Sequence, residues 1–272
     1  MASSATDSQG SDKDIREKLV KTGHVDVMIS VGNNFFYTKS LPCSLWFFDK
    51  GKADELKDKI LFIDARNYYT VVDRTLNEWN EWQLKNINAI VWLYRGEIDK
   101  YKALLEEYKS ALKGMIEEVG DDALNVIIDD VLVGGFEAAK KYLKTLRESA
   151  KKAVEACDKK EKRQLQAAWD EKITSAEEIA EVVKEAHWLY SKFGEGKYED
   201  ILGLCKIADI ETIEGKGWSL TSGAYVGVAP VEDDGVDFEE RMAEIHKELL
   251  SLHAESNELM DTISQDMEEM GL

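Results

Sequence analysis

The sequence is poor in the residues that build disulfide frameworks and metal sites. Among its 272 residues are only two prolines, four histidines and three cysteines. The cysteines, Cys43, Cys157 and Cys205, are odd in number and far apart, which argues against both a disulfide framework and a CxxC metal site. No apolar run approaches the roughly 20 residues that span a bilayer. The N-terminus has no secretory signal. These absences predict a protein of the reducing cytoplasm.

Familiar catalytic motifs are missing as well. The chain contains no GxxxxGK[ST] phosphate loop, no HExxH and no GxSxG. Its histidines are scattered, and its paired acidic residues lack the loop spacing and the glycine of a calcium-binding hand. We therefore predict no metal site.

Negative charge is abundant but unevenly distributed. The net charge is −19. Residues 13–95 carry thirteen Lys and Arg against eleven Asp and Glu, whereas residues 231–272 carry two against fourteen. An acidic segment of that kind repels phosphates. Residues 13–95, the front of the chain, are therefore predicted to be the only part neutral enough to approach DNA.

Three apolar runs near the front predict β-strands. They read HVDVMIS, LPCSLWFF and KILFIDA. Strands buried on both faces need helices on both sides, and this part of the chain supplies few. An exposed apolar edge would also favour aggregation. The pattern therefore predicts an incomplete sheet whose remainder lies before Met1 or on another chain.

The rest of the chain is predicted to be mainly helical. Helical spacing of apolar residues begins near Thr75, and the tryptophans within it are expected in the core. Ser175 and Glu178 have the spacing of a capping box that starts a helix. The predicted organisation is a disordered tail at 1–12, a partial α/β sheet at 13–74, a helical region at 75–200, a loop or hairpin segment at 201–236 and a coiled-coil helix at 237–272.

The last segment has the clearest periodicity. Its apolar positions alternate steps of four and three, which defines a heptad seam. The seam fits an intramolecular hairpin, a homodimer or a helix of a partner. We predict the following partner-binding residues: Phe238, Met242, Ile245, Leu249, Leu252, Leu259 and Ile263.

Phe36 and Tyr37 stand out because they follow Gly-Asn-Asn in the loop after the first predicted strand. An exposed aromatic ring at such a position can stack on a flipped base. The same rings could instead cover the edge of the sheet, and the residue types alone do not separate the two interpretations.

Several stretches in order resemble one family of proteins. IREKLVKTGHVDVMIS, NNFFYTKSLPCSLWFFDKGK and KILFIDARN are followed by GLCKIADIETIEGKGWSLTSGAYVGV and EDDGVDFEERMAEIHKELLSLHAESNELM. They are similar to the C-terminal portion of the modification subunit of type I restriction-modification systems, an adenine-N6 DNA methyltransferase. The resemblance covers residues 13–96 and 200–272.

The resemblance implies a fold that is α/β plus α. It comprises the last strands of a Rossmann-like methyltransferase sheet, a helical domain and a C-terminal coiled-coil helix. The family's glycine-rich loop for S-adenosylmethionine and its Asn-Pro-Pro-aromatic motif do not occur here, since Pro42 and Pro230 are single. The resemblance thus implies no catalytic residue in this chain. It makes Asn34, Phe36 and Tyr37 the candidates for contact with the target base.

From this resemblance we expect a chain that has no activity of its own and binds no cofactor alone. The complete enzyme would use S-adenosylmethionine. The expected partners are the DNA-specificity subunit and an upstream methylase half, with DNA bound only within the complex and no membrane. The start of the chain is consistent with a split gene or an internal start. The alternative from another class is a non-enzymatic helical scaffold that recruits a partner through the seam.

Overall fold

A computed structural model describes residues 1–36, 40–157 and 161–229, together with scattered positions between 242 and 267. The chain divides into two compact units, Met1–Ala229 and Pro230–Leu272. No helix among these described residues is both long and apolar enough to cross a membrane.

The first unit is an α/β structure followed by a group of helices. Its strands are β1 (Val25–Val31), β2 (Cys43–Phe48), β3 (Lys59–Ala65), β4 (Thr70–Val71), β5 (Asn77–Glu78) and β6 (Cys205–Asp209). Its helices are α1 (Ser11–Lys21), α2 (Glu81–Tyr94), α3 (Ile98–Val119), α4 (Asn125–Asp129), α5 (Gly135–Ala156), α6 (Lys162–Phe193), α7 (Ile210–Gly215) and α8 (Gly223–Val226).

The main sheet has four strands in the order β2-β1-β3-β6. β1 runs parallel to β3 and antiparallel to β2, and β6 runs antiparallel to β3. The three predicted apolar runs form β1, β2 and β3. A mixed sheet with several helices confirms the α/β part of the predicted fold class.

Helices of the chain itself cover both faces of this sheet. On one face, Ile29 and Ile63 pack in a core shared with α2, α3 and α6. On the other face, Met28 and Phe62 pack in a second core with residues of α1, α7 and α8. The expectation that the chain has too few helices for two faces is therefore wrong. The segment after residue 200 returns to the sheet and buries the second face.

The segment after residue 200 also differs from the predicted loop or hairpin. Cys205–Asp209 joins the main sheet as β6, with Ile63 paired to Cys205. The partial sheet therefore extends beyond the predicted 13–74 boundary. Its last strand comes from a segment about 140 residues further along the chain.

The first twelve residues are ordered in the structure, in contrast to the predicted disordered tail. Met1 exchanges backbone hydrogen bonds with Ser44 of β2, at 2.8 and 2.9 Å. The buried guanidinium of Arg16 donates to the carbonyl oxygens of Ala5 and Ser8. These bonds satisfy backbone groups that would otherwise need water, which explains how a segment rich in small polar residues is held in place.

The second unit contains helical positions on the predicted seam. Met242, Leu249, Leu252, Leu259 and Ile263 are helical and each is 49–60% exposed. Phe238 and Ile245 lie outside the described residues. The pairing of the seam with another helix stays a prediction.

Candidate functional site

The parallel pairing of β1 and β3 brings the carboxyl ends of two strands together. Val31 pairs with Ala65, so the loops that leave β1 and β3 start side by side. In sheets of this kind, ligands bind in the crevice outside the carboxyl ends of the strands. The predicted base-contacting loop starts at this edge.

The β4–β5 segment holds the loop after β1 in place through hydrogen bonds. Asn34 has a left-handed backbone, with φ of 62°, and its carbonyl oxygen accepts a hydrogen bond from the backbone N–H of Asn77 at 2.8 Å. The side chain of Asn77 donates to the carbonyl oxygen of Asn33 at 2.9 Å. One buried asparagine therefore fixes two successive residues of the loop.

Aromatic rings complete the anchoring. Phe35 lies edge-on to Tyr69, with ring centroids 5.9 Å apart, and tilts against Trp79 at 5.0 Å. The indole of Trp79 donates to the carbonyl oxygen of Tyr68 at 2.6 Å. Phe36, the next residue, is 50% exposed. The ring of Phe35 therefore packs inward and holds the loop, whereas the ring of Phe36 is exposed and can contact another molecule.

The predicted site residues thus have different outcomes. Asn34 and Phe36 lie in one loop, with Asn34 at its left-handed turn and Phe36 at its exposed face. Tyr37 lies outside the described residues. Phe35 was not singled out from the sequence because a ring that anchors a loop and a ring that contacts a ligand look alike there.

A cleft of about 410 Å³ opens beside this loop. Its lining consists of Gly32, Asn33, Pro42, Arg66, Asn67 and Tyr69. Amide groups, a cation and an aromatic ring can together bind a polar aromatic ligand by hydrogen bonding and stacking. Sequence reasoning missed Arg66, Asn67 and Tyr69, although their position directly after a buried strand was a usable signal.

Arg66 is held in place by Asp64 at the end of β3. Its Nε and Nη2 atoms donate to the two carboxylate oxygens of Asp64, at 2.8 and 2.6 Å. This bidentate bond raises the pKa of Arg66. Half of the Arg66 side chain stays exposed, so the group is oriented and still accessible from the cleft.

Gly32 lets the loops after β1 and β3 approach closely. A Cβ atom at this position would lie 2.6 Å from the carbonyl oxygen of Arg66. That separation is far below a normal contact, so the tight junction at the base of the cleft requires glycine.

A buried polar network lies below the cleft. Tyr68 inserts between the helices, where its hydroxyl donates to the carboxylate of Glu185 on α6 and its ring stacks on Trp188 at 4.1 Å. Asn86 of α2 donates to the Tyr68 hydroxyl at 2.9 Å and accepts from Tyr108 of α3 at 2.9 Å. The network ties the loop after β3 to three helices.

Burial governs the ionisation of this network. Removal from water raises the pKa of Glu185 and the pKa of Tyr68. This role could not be predicted from the sequence, because Glu185 is one of many acidic residues on a helix.

The comparisons with known proteins agree with the family resemblance. Residues 1–131 match the family model described as N-6 DNA Methylase. The chain is 24% identical over 271 residues to the type I restriction enzyme MjaIX methylase subunit of Methanocaldococcus jannaschii. It is 36% identical over 97 residues to the type I restriction enzyme HindI methylase subunit of Haemophilus influenzae.

The chain spans less than a third of the length of these relatives. The first match covers all of this chain and 31% of the relative, and the second covers 36% of this chain and 21% of the relative. Among solved structures, the methyltransferase subunit of a type I restriction-modification system from Streptococcus thermophilus aligns at 12% identity and a TM-score of 0.37. That alignment covers 84% of this chain and 25% of the other.

The family model, which covers β1–β5 and the helices up to α4, and the two curated relatives point in the same direction. These comparisons support the resemblance: the chain is similar to the N-6 DNA methylase family over residues 1–131 and to methylase subunits of type I restriction enzymes.

Proposed function

We propose that this chain is the C-terminal part of an adenine-N6 DNA methyltransferase subunit of a type I restriction-modification system. The complete enzyme would transfer a methyl group from S-adenosylmethionine to adenine N6. This chain would supply a loop that contacts the target base and a helix that docks on the DNA-specificity subunit. The observation that carries the proposal is the exposed Phe36 on a rigidly anchored loop at the carboxyl edge of the sheet.

The chain does not contain the family's glycine-rich loop for the methyl donor or its Asn-Pro-Pro-aromatic motif. Asp64, the carboxylate at the end of β3, is already paired with Arg66. The junction at Gly32 is closed by the backbone of Arg66. We therefore propose that the cofactor binds elsewhere in the complete enzyme and that the isolated chain does not transfer methyl groups.

The role of Phe36 can be tested by photo-crosslinking. The assembled methylase would be mixed with duplex DNA that carries 5-iodouracil in place of the target adenine. We expect a crosslink to the wild-type chain that is lost in Phe36→Ala, because a base stacked on the ring lies close to it. Phe47→Ala is the matched control, since Phe47 is 47% exposed but lies on β2 away from the loop. Equal crosslinking by all three proteins would refute the role of Phe36.

Docking on the specificity subunit can be tested on the C-terminal helix. Leu249 is on the heptad seam and 60% exposed, whereas its neighbour Leu250 is off the seam and 54% exposed. Leu249→Asp should abolish co-purification with the specificity subunit, because a charge in a heptad seam must be buried against the partner. Leu250→Asp should leave co-purification intact. Loss in both variants, or in neither, would contradict docking through the seam.

A further inference from the structure

One stretch of this acidic chain is basic. Residues 137–163 contain ten of the thirty-five Lys and Arg residues but only five of the fifty-four Asp and Glu residues. The stretch comprises most of α5 and the start of α6. A local excess of positive charge within a chain of net charge −19 calls for an explanation beyond solubility.

The basic side chains of α5 are arranged in a row. Lys140, Lys144, Arg147 and Lys151 follow one another at steps of four, three and four, which places them along one side of the helix. The row is roughly 16 Å long at the rise of an α-helix. Lys141 and Lys152 flank it. All six side chains are exposed, while the apolar side of α5 is buried at Ala139, Leu146, Ala150 and Val154.

Most of these cations have no carboxylate partner within the described part of the chain. Lys140 pairs with Glu137 at 2.9 Å and Arg147 with Glu177 at 2.6 Å. The other four, which we call the α5 lysines, form no ion pair there: Lys141, Lys144, Lys151 and Lys152. Five lysines on other elements do have such a partner: Lys85, Lys100, Lys109, Lys184 and Lys197.

Unpaired like charges on one side of a helix repel each other, so the four α5 lysines destabilise the helix until anions neutralise them. The phosphate backbone of a nucleic acid presents several anions that lysines along one side of a helix can neutralise together. We propose that α5 binds the phosphate backbone of duplex DNA through the α5 lysines, independently of base sequence. The choice of DNA as the polyanion rests on the proposed function. The contact extends DNA binding to the helical region, beyond the front of the chain that the charge distribution alone favours, and it predicts sequence-independent binding by the chain itself, in contrast to the expectation that DNA is bound only within the complex.

The test is the salt dependence of DNA binding by the full chain. Fluorescence anisotropy with a labelled 30-base-pair duplex of arbitrary sequence would be measured over a range of salt concentrations. The test variant combines Lys141→Gln, Lys144→Gln, Lys151→Gln and Lys152→Gln. The control combines Lys100→Gln, Lys109→Gln, Lys113→Gln and Lys197→Gln, which removes the same charge from lysines that already pair with carboxylates.

The wild-type chain should bind with an affinity that falls linearly with salt on logarithmic axes. In the α5 variant this slope should become less steep, by about 0.9 for each lysine that contacts a phosphate. The control should keep the wild-type slope. An unchanged slope in the α5 variant would overturn the proposal. DNA binding that appears only after residues 230–272 are removed would also overturn the proposal. The lysines would then pair with the chain's own acidic segment in the full chain. Neither result would affect the crosslink at Phe36, so the two proposals fail separately.

Discussion

At the scale of single residues, Glu185 joins elements that are far apart in the sequence. Its carboxylate, 1% exposed, accepts hydrogen bonds from Tyr68, Gln83 and Asn86. The position of the loop after β3 therefore depends on one buried acid on α6.

The ionisation of Glu185 predicts a pH dependence of stability. Burial raises its pKa, so the folded chain retains this proton at a higher pH than the unfolded chain does. The stability that Glu185 contributes is complete below the carboxyl's ordinary pKa and is lost as the pH rises through the raised pKa. The free energy of unfolding of Glu185→Gln relative to wild type should therefore increase with pH over this window in urea titrations. Glu171→Gln, an exposed change on the same helix, is the control, and parallel curves for Glu185→Gln and wild type would contradict the prediction.

A side chain at position 32 is expected to destabilise the base of the cleft by a steric clash. Gly32→Ala places a Cβ atom 2.6 Å from a backbone oxygen, and overpacking of this kind costs about 1–3 kcal/mol. Gly114→Ala on α3 has no neighbour within 4 Å and should stabilise the helix by up to about 1 kcal/mol. Thermal unfolding of the two variants checks both signs, and an equal effect of the two changes would rule out the close approach.

Loss of the Asp26 carboxylate, at the other end of β1, is expected to lower the free energy of unfolding by a larger amount. Its side chain is 1% exposed and lies between Arg95 and the buried amine of Lys52. Asp26→Ala leaves the amine without its carboxylate, and breaking a buried pair costs about 3–5 kcal/mol. Asp54→Ala removes the exposed pair with Lys57 and should leave the stability nearly unchanged, because water screens an exposed ion pair. Chemical denaturation distinguishes the two, and a loss at Asp26 no larger than at Asp54 would refute the structural role.

At the scale of elements, the β6–α8 segment completes the second face of the sheet. Phe62 is fully buried and stacks on Tyr225 of α8 at 3.9 Å. Without residues 200–229 this face would keep only the cover of α1 and would be largely exposed to water. A chain that ends at Ala229 should unfold cooperatively, whereas one that ends at Asp200 should lose its cooperative transition and bind a hydrophobic dye. Calorimetry and dye fluorescence test this, and a cooperative transition in the shorter chain would show that the segment is dispensable.

The elements that the sequence predicted well are those whose signal is local. The continuous apolar runs of β1 and β3 identify them as buried strands, and both form in the structure. β6 escaped prediction because its partner is β3, about 140 residues earlier. The capping-box spacing at Ser175 was misleading, since α6 continues through it and the Ser175 hydroxyl donates to the carbonyl oxygen of Glu171 instead.

The same division holds for the candidate site. Phe36 could be selected from the sequence because an aromatic residue in a polar loop is unusual. Arg66 and Tyr69 were missed although their position directly after β3 was a usable signal. The Glu185 network could not be selected, because it depends on a contact between residues 117 positions apart.

At the scale of the whole molecule, we propose that this chain needs other components to act. The measurement that tests this most directly is transfer of a radiolabelled methyl group to adenine N6 in DNA. The chain would be assayed alone and then together with the specificity subunit and an upstream methylase half that carries the cofactor and Asn-Pro-Pro-aromatic motifs.

We expect no transfer by the chain alone and transfer by the complete mixture. In that mixture Phe36→Ala should weaken target-DNA binding by about 1–3 kcal/mol, the range for loss of a stacked base, and Phe47→Ala should not. Transfer by the chain alone, or a complete mixture that remains inactive, would contradict the account.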